Sequence, residues 1–462
     1  LAAGYRLTHV TGYEDSGAAR YAAIWTKTSG PRQWNRHGLH KKNFQSAFEN
    51  AYYSGYVPAN FSAFSVSEKA RFNVTYEGGG LNNTDQVALN NLVNSFMTNW
   101  QIPGLGIAIS NNERLVYARG YGFSDVETNT YASPYQLFRI ASVSKPVTSI
   151  TAMKLVEMGL LNLDQRVFGP GGVLAHDYGQ LNYPLLLQVR VRHLLEHTAG
   201  WANPTLITNV PANQPQLNQQ QFLSWALQNN NLPFTALPAP SGNFTVTNSP
   251  GANRQYSNYG YFVLGRVIEK AVAGQNIAGL GSSPRYDDIV KALVLEPAGV
   301  TGMQIGGMTL AQRRPNEARY YGQGGGNPYS ILFPRLDSAG GWIASPVDFA
   351  RLLVRVDGRP NKKDILSRRS LSSMVTPAGA ANNNPITGIG VGSRAWRIGR
   401  GPVGTTTNWP SCNNSPAINS CDWHHNGSLH GTGAQTILTP SGFTLTIFTN
   451  SRPPTPTAAF FN

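Results

Sequence analysis

Beyond residue 80 this chain carries strand-like alternation at both ends of a long stretch whose apolar residues recur at helical intervals. The early strands, 104–110 and 114–119, read as a hairpin across Asn111 and Asn112. The late ones are 388–398, 432–438 and 443–450. Helices are expected at 85–99, capped by Thr84, and at 142–158, 219–229, 258–272, 286–295 and 346–356. Early and late strands can share a hydrophobic face only by meeting in one layer. The pattern therefore predicts an α+β fold: one antiparallel sheet flanked by helices, with an inserted helical subdomain.

The first eighty residues repeat themselves. An offset of 51 residues sets Gly4-Tyr5 on Gly55-Tyr56, Tyr13 on Phe64, Ala19-Arg20 on Ala70-Arg71, Tyr21 on Phe72 and Trp25 on Tyr76. Each copy reads as a hairpin, and between them Phe44, Phe48 and Tyr52 fall at helical spacing, giving a β-β-α unit. Gly78-Gly79-Gly80 marks the boundary, so the expected domains are a repeat domain, 1–80, and a larger domain, 81–462. Because stacked repeats need neighbours to cover their apolar faces, and Leu1 opens at a copy's edge, further copies are expected upstream in a longer parent chain. Leu1 without a leader likewise reads as the start of a processed or truncated form. The repeats suit either a binding role or a packing platform.

Only 13% of the residues are charged, against 48 glycines and 30 prolines, a balance that suits a loop-rich extracellular protein. The net charge of +14 is spread rather than blocked, which argues against nucleic acid as a partner and for a solubilising basic surface. No apolar run is long enough to span a membrane. Cys412 and Cys421 stand close together ahead of His425, where a disulfide is easily closed; free thiols are the alternative. Sequons at Asn60, Asn73, Asn82, Asn243 and Asn413 are candidates for glycosylation. Another, at Asn426, lies where a glycan would block the candidate site described next.

Ser142 and Lys145 form the chain's single Ser-x-x-Lys, and three-residue spacing puts hydroxyl and amine on one helical face. The helix start beneath Ser142 offers free N–H groups to an oxyanion. Tyr256-Ser257-Asn258 and His425-Asn426-Gly427 are likewise the single Tyr-x-Asn and His-x-Gly. Taken one by one they have plainer readings, an exposed helix pair, a core tyrosine and a structural histidine. In this order, together, they make a serine acyl-transfer site. Such a site needs no cofactor.

The flanking segments GLGIAIS at 104–110, RLVYARGYG at 114–122, HLLEHTAG at 193–200, YSNYGYFVLG at 256–265 and AGGW at 339–342 carry the pattern further. The chain resembles the serine beta-lactamase-like family, which holds class C beta-lactamases, D-peptidases, penicillin-binding proteins and related esterases. That resemblance implies the same architecture. It also implies Ser142 as nucleophile, Lys145 and Tyr256 as a coupled base, and Asn258 positioning Lys145 and the substrate amide. Ser142 and Ser428 would give oxyanion N–H groups, with His425 and Gly427 in the third motif. His425 stands where beta-lactamases often carry lysine, so capture of a substrate carboxylate should be weaker. His193-Leu-Leu-Glu-His197 also fits an inverted zinc-protease pattern, but the resemblance gives it a structural turn.

The aromatic repeats joined to this catalytic pattern resemble the fungal polyglycine hydrolases. These are secreted serine proteases of plant pathogens, virulence factors that cut glycine-rich linkers of plant class IV chitinases. The resemblance implies a secreted monomeric endopeptidase with such a linker as partner. Two alternatives stand beside it: an esterase or D-aminopeptidase using the same residues, and a protein that chiefly binds a wall polymer or glycoprotein. The Asn-, Gln- and Pro-rich stretch 203–253 reads as a cleft-rim loop or a surface insertion.

Overall fold

The computed structural model describes residues 4–179, 181, 184–201, 217–228, 249–252, 254–324, 326–375, 397–399 and 422–452. Internal contacts divide the chain into two units, residues 1–99 with 109–118, and residues 100–108 with 119–462.

In the first unit, β1 (Tyr5–Asp15) and β2 (Ala18–Lys27) form a hairpin. After it come β3 (Gln33–His40), α1 (Lys41–Tyr53), β4 (Tyr56–Val66) and β5 (Lys69–Gly78), with the strands in the order β3-β5-β4. The duplication is visible in the ladders. Tyr13 faces Arg20 as Phe64 faces Arg71, and Asp15 faces Ala18 as Val66 faces Lys69. Both hairpins even break register at the same place, between Leu7 and His9 and between Pro58 and Asn60. Strand β3 is an addition that alternation did not reveal, because its sequence is mostly polar with a glycine. It pairs with β5, so a full copy reads strand, helix, strand, strand. Phe44 and Phe48 of α1 pack on Ala51, Val74 and Tyr76. Helix α2 (Asn83–Trp100) starts earlier than expected, and its cap is Asn82 rather than Thr84: Asn82 Oδ1 accepts the Asp85 N–H at 2.9 Å.

The larger domain's first strands are β6 (Gly104–Asn111), β7 (Arg114–Asp125), β8 (Thr130–Tyr131) and β9 (Phe138–Arg139). Helices α3 (Ser144–Glu157), α4 (Val191–Leu195), α5 (Gln219–Gln228), α6 (Asn258–Val272) and α7 (Tyr286–Val290) form the helical middle. Next come β10 (Gln304–Ile305), α8 (Phe333–Gly340), β11 (Trp342–Ala344), α9 (Pro346–Leu353) and α10 (Arg368–Val375). Strands β12 (Arg397–Gly399), β13 (Asp422–Leu429), β14 (Thr432–Leu438) and β15 (Phe443–Thr449) close the domain. The main sheet has seven strands in the order β12-β13-β14-β15-β6-β7-β8, so the last strands lie beside the first. This is the α+β, beta-lactamase-like arrangement that the sequence predicts.

Helix α3 is the hub. Its first ten residues, Ser144 to Met153, are all buried, and its hydroxyls are spent inside: Thr148 Oγ1 donates to Ser338 O at 2.6 Å, and Ser149 Oγ meets the Tyr261 hydroxyl at 2.9 Å. Helices α8 and α10 were not expected, α8 because its eight residues contain both proline and glycine. The expected helix 286–295 becomes α7 followed by a π-turn, Lys291–Leu295. Most of 203–253 and of the strand 388–398, with Cys412, Cys421, Asn243 and Asn413, falls outside the described residues. Asn73 must be withdrawn as a glycosylation candidate. It is fully buried, its Oδ1 accepting the Gly38 N–H and its Nδ2 donating to Ser62 Oγ, each at 3.0 Å.

Candidate active site

Ser142 sits in a single 3-10 turn, Ala141–Val143, that leads from β9 into α3. Ala141 takes a φ of +47°, a left-handed conformation that costs a residue with a side chain about 1–3 kcal/mol and tends to persist where function requires it. Two elements hold the turn. On one side Arg139, fully buried, donates to Pro328 O at 2.5 Å and Gly307 O at 2.9 Å, with its guanidinium over the Tyr320 and Phe333 rings. On the other, β13 comes so close that a Cβ on Gly427 would lie 2.2 Å from Ile140 O and 3.0 Å from Ser142 N. Glycine in the third motif is therefore a steric requirement: it lets the strand reach the nucleophile's own backbone.

Lys145, the second residue of α3, is fully buried and donates to three oxygens: Ser142 Oγ at 3.1 Å, Asn258 Oδ1 at 2.8 Å and Ala339 O at 2.6 Å. Three acceptors suit the three N–H groups of an ammonium. The Tyr256 hydroxyl lies 2.7 Å from Ser142 Oγ, and Lys145 Nζ is 4.8 Å from the Tyr256 ring centre. The four residues read from Ser-x-x-Lys and Tyr-x-Asn thus come into mutual reach around the serine hydroxyl. Ser257, between Tyr256 and Asn258, caps α6 by accepting the Gly260 N–H at 3.0 Å. That cap fixes Asn258 as the first helical residue and leaves Tyr256 just ahead of it.

His425, 4% exposed, points to the buried face of β13 with Trp423 and Gly427. Its Nδ1 lies 2.8 Å from Asn426 O, a partner that requires the proton on Nδ1. Ser428 follows on the strand, and its Oγ accepts from Arg452 Nη1 at 2.7 Å.

The two histidines of the zinc-like motif serve the backbone. His193 Nδ1 accepts the Arg190 N–H at 3.2 Å, closing a capping box on α4, and burial together with Arg190 and Arg192 pushes its pKa down to about 4. His197, at a φ of +59°, accepts the Ser257 N–H on Nδ1 at 3.1 Å and the Gln255 N–H on its carbonyl at 2.7 Å. Its ring lies 4.6 Å from that of Tyr256 and 5.0 Å from that of Tyr261. The turn at 193–200 is therefore the bracket that holds Tyr256. Among the described residues no group of three His, Cys, Asp or Glu side chains is gathered as a metal site.

Two contributors escape the motif reading. Ala339 O, an acceptor for Lys145, lies in the last turn of the unforeseen helix α8; the AGGW segment was the available signal. Gly341 follows because a Cβ there would stand 2.9 Å from Asp337 Cα and from Phe333 O. Arg139 was visible only as a neighbour of the Ser-x-x-Lys segment.

Comparison with known proteins agrees with this geometry. The beta-lactamase family model matches residues 89–460. A family described as the polyglycine hydrolase-like structural repeat matches residues 1–28 and 30–77. Protein flp of Staphylococcus aureus (strain MW2) is 27% identical over 189 residues, which is 41% of this chain and 34% of that protein. The match thus spans about a third of that curated relative. Among solved structures, the octameric penicillin-binding protein homologue from Pyrococcus abyssi superposes with a TM-score of 0.59 at 22% identity, covering 80% of this chain and 75% of that one. The D-amino acid amidase from Ochrobactrum anthropi SV3 gives 0.56 at 19% identity, covering 79% and 91%. With its fold shared and its family model matched over most of its length, the chain belongs to the beta-lactamase family of serine hydrolases.

Proposed function

We propose that the protein is a secreted serine endopeptidase that cleaves Gly-Gly bonds in glycine-rich linkers, such as those of plant defence chitinases. The observation that carries the reading is the contact set on Ser142 Oγ, with Tyr256 at 2.7 Å and Lys145 at 3.1 Å. As Oγ attacks the scissile carbonyl carbon, its proton passes to Tyr256, while the Lys145 charge, held by three acceptors, stabilises the phenolate. The oxyanion forms against the backbone N–H groups of Ser142 and Ser428. Tyr256 then gives the proton to the leaving amine, which departs as the acyl-enzyme forms. A water, deprotonated by the same phenolate, attacks the ester carbon, and Ser142 recovers its proton.

Three features favour a glycine linker. The N-terminal repeat matches the family described as polyglycine hydrolase-like. His425, buried and bonded through Nδ1, offers a weaker anchor for a terminal carboxylate than a lysine would, which suits cleavage within a chain. Glycine reaches backbone shapes that L-residues avoid, so a cleft on a scaffold shared with a D-amino acid amidase suits a run of glycines. That likeness also supports a second reading, an esterase or D-aminopeptidase with the same catalytic residues. The test is cleavage of a chitinase with a glycine-rich linker, read as fragment masses. Cleavage between glycines, suppressed when the flanking glycines become L-alanine, is expected. Equal cleavage of the alanine-substituted linker would contradict the glycine specificity, and faster turnover of a short-acyl ester or D-alanyl amide would contradict the endopeptidase reading.

A further inference from the structure

In the first unit several cations meet at one junction, with Glu68, next to Lys69, at its edge. His40 ends β3, Lys41 and Lys42 begin α1, and Lys69 and Arg71 lie at the start of β5. His40 faces Arg71 across the ladder, its Nδ1 2.8 Å from Arg71 Nη1. His40 is solvent-exposed, yet partial desolvation and the fields of Arg71, Lys42 and Lys69 lower its pKa, which marks how closely those charges converge. Among the described residues none of Lys42, Lys69 and Arg71 is in an ion pair. Lys41 and Lys42 also occupy the first turn of a helix that has no acid there, the end at which the dipole disfavours cations.

The duplicated hairpin provides an internal control. In the first copy Arg20 is paired with Asp15 at 3.4 Å, and Ala18 stands opposite that acid. At the corresponding places the second copy has Arg71, Val66 and Lys69. Between the two hairpin tips Glu14 and Asp15 give way to Ser65 and Val66, Gly17 to Glu68 and Ala18 to Lys69, a net change of one acid lost and one cation gained on the same frame. Beside the cluster, Tyr21 is 42% exposed and packs edge-on against His37 and against Phe64, the cross-strand neighbour of Arg71.

We propose that this junction binds an acidic polysaccharide, a linear polymer whose uronate carboxylates meet Lys42, Lys69 and Arg71. The cations gather at one point rather than running along an element, as a nucleic-acid groove would require. His40 and the exposed Tyr21 add a hydrogen-bonding ring and an aromatic edge suited to a hydroxylated sugar.

The test is binding of the full chain to polygalacturonate at low and at physiological ionic strength, with methyl-esterified polygalacturonate and polyuridylate as competitors. The variant K42Q/K69Q is expected to bind about tenfold more weakly. K362Q/K363Q, with the same change of charge at exposed lysines of the other unit, should change binding by less than about threefold, and both should keep the wild-type melting temperature. Equal losses in the two variants, equal binding of the esterified polymer, or tighter binding of polyuridylate would each overturn the proposal. Because the readout is binding, S142A should behave as wild type, which separates this result from the peptidase reading.

Discussion

At the scale of single residues, chemistry here depends on who touches Ser142. Tyr256 is the group nearest its hydroxyl, and Lys145 is already engaged by three oxygens. Replacing Tyr256 by Phe removes the hydroxyl nearest Ser142 while keeping the ring packed against His197. Turnover should fall by about 10²–10⁴-fold with little change in melting temperature. Retention of more than about a tenth of the activity would move the base to Lys145. His193 makes a different prediction. Its pKa in the fold, about 4, lies below its usual 6.5, so between those values the unfolded chain takes up a proton that the folded one does not. Stability contributed by neutral His193 is whole above about pH 6.5 and is lost as pH falls toward 4. Melting curves of wild type and H193Q across that interval should show a shallower slope for the variant; parallel slopes would contradict the assignment.

At the scale of elements, the motifs were legible where a short segment carries its own geometry. Ser-x-x-Lys and Tyr-x-Asn each fix two groups through a helix start, and helix 258–272 emerged with the bounds that its apolar spacing and Ser257 cap imply. Helix α8 was not legible, since proline and glycine in eight residues erase any periodic signal. What holds it is tertiary. Asp337 accepts from Arg266 Nη2 and Gln219 Nε2 on one oxygen, each at 2.6 Å, and from the Ser338 N–H on the other at 2.6 Å. Gly265 leaves room for Ser338, because a Cβ there would come 2.4 Å from its Oγ. Through α8 this buried ion pair sets Ala339 O against Lys145. D337A should therefore destabilise the protein by about 3–5 kcal/mol, since Arg266 would lose a buried partner. Denaturant titration measures it, and a loss below about 1 kcal/mol would show that Glu269 alone suffices to balance Arg266.

At the scale of the whole molecule, the closing of the sheet by its last strands was readable from where alternation occurs, because neither end alone supplies a layer. The ladder registers then gave the 51-residue duplication a physical form, down to a shared bulge. Strand β3 stayed hidden for the opposite reason: its partner β5 makes it a strand, and its own residues do not. The histidine pair at 193–197 shows the same limit. Spacing allowed a metal site, while the fold spends both Nδ1 atoms on backbone N–H groups and uses the turn to carry Tyr256. The approach of β13 to Ser142 joins parts of the chain far apart in sequence, and the bare Cα of Gly427 makes that closure possible.

The account stands on Ser142 being an activated nucleophile. Intact-protein and peptide mass spectrometry after exposure to a serine-directed phosphonate tests it most directly. A single adduct on Ser142 is predicted, absent in S142A, which should retain the wild-type melting temperature, and formed far more slowly in Y256F. No adduct on the folded protein, or an adduct on another serine, would contradict it.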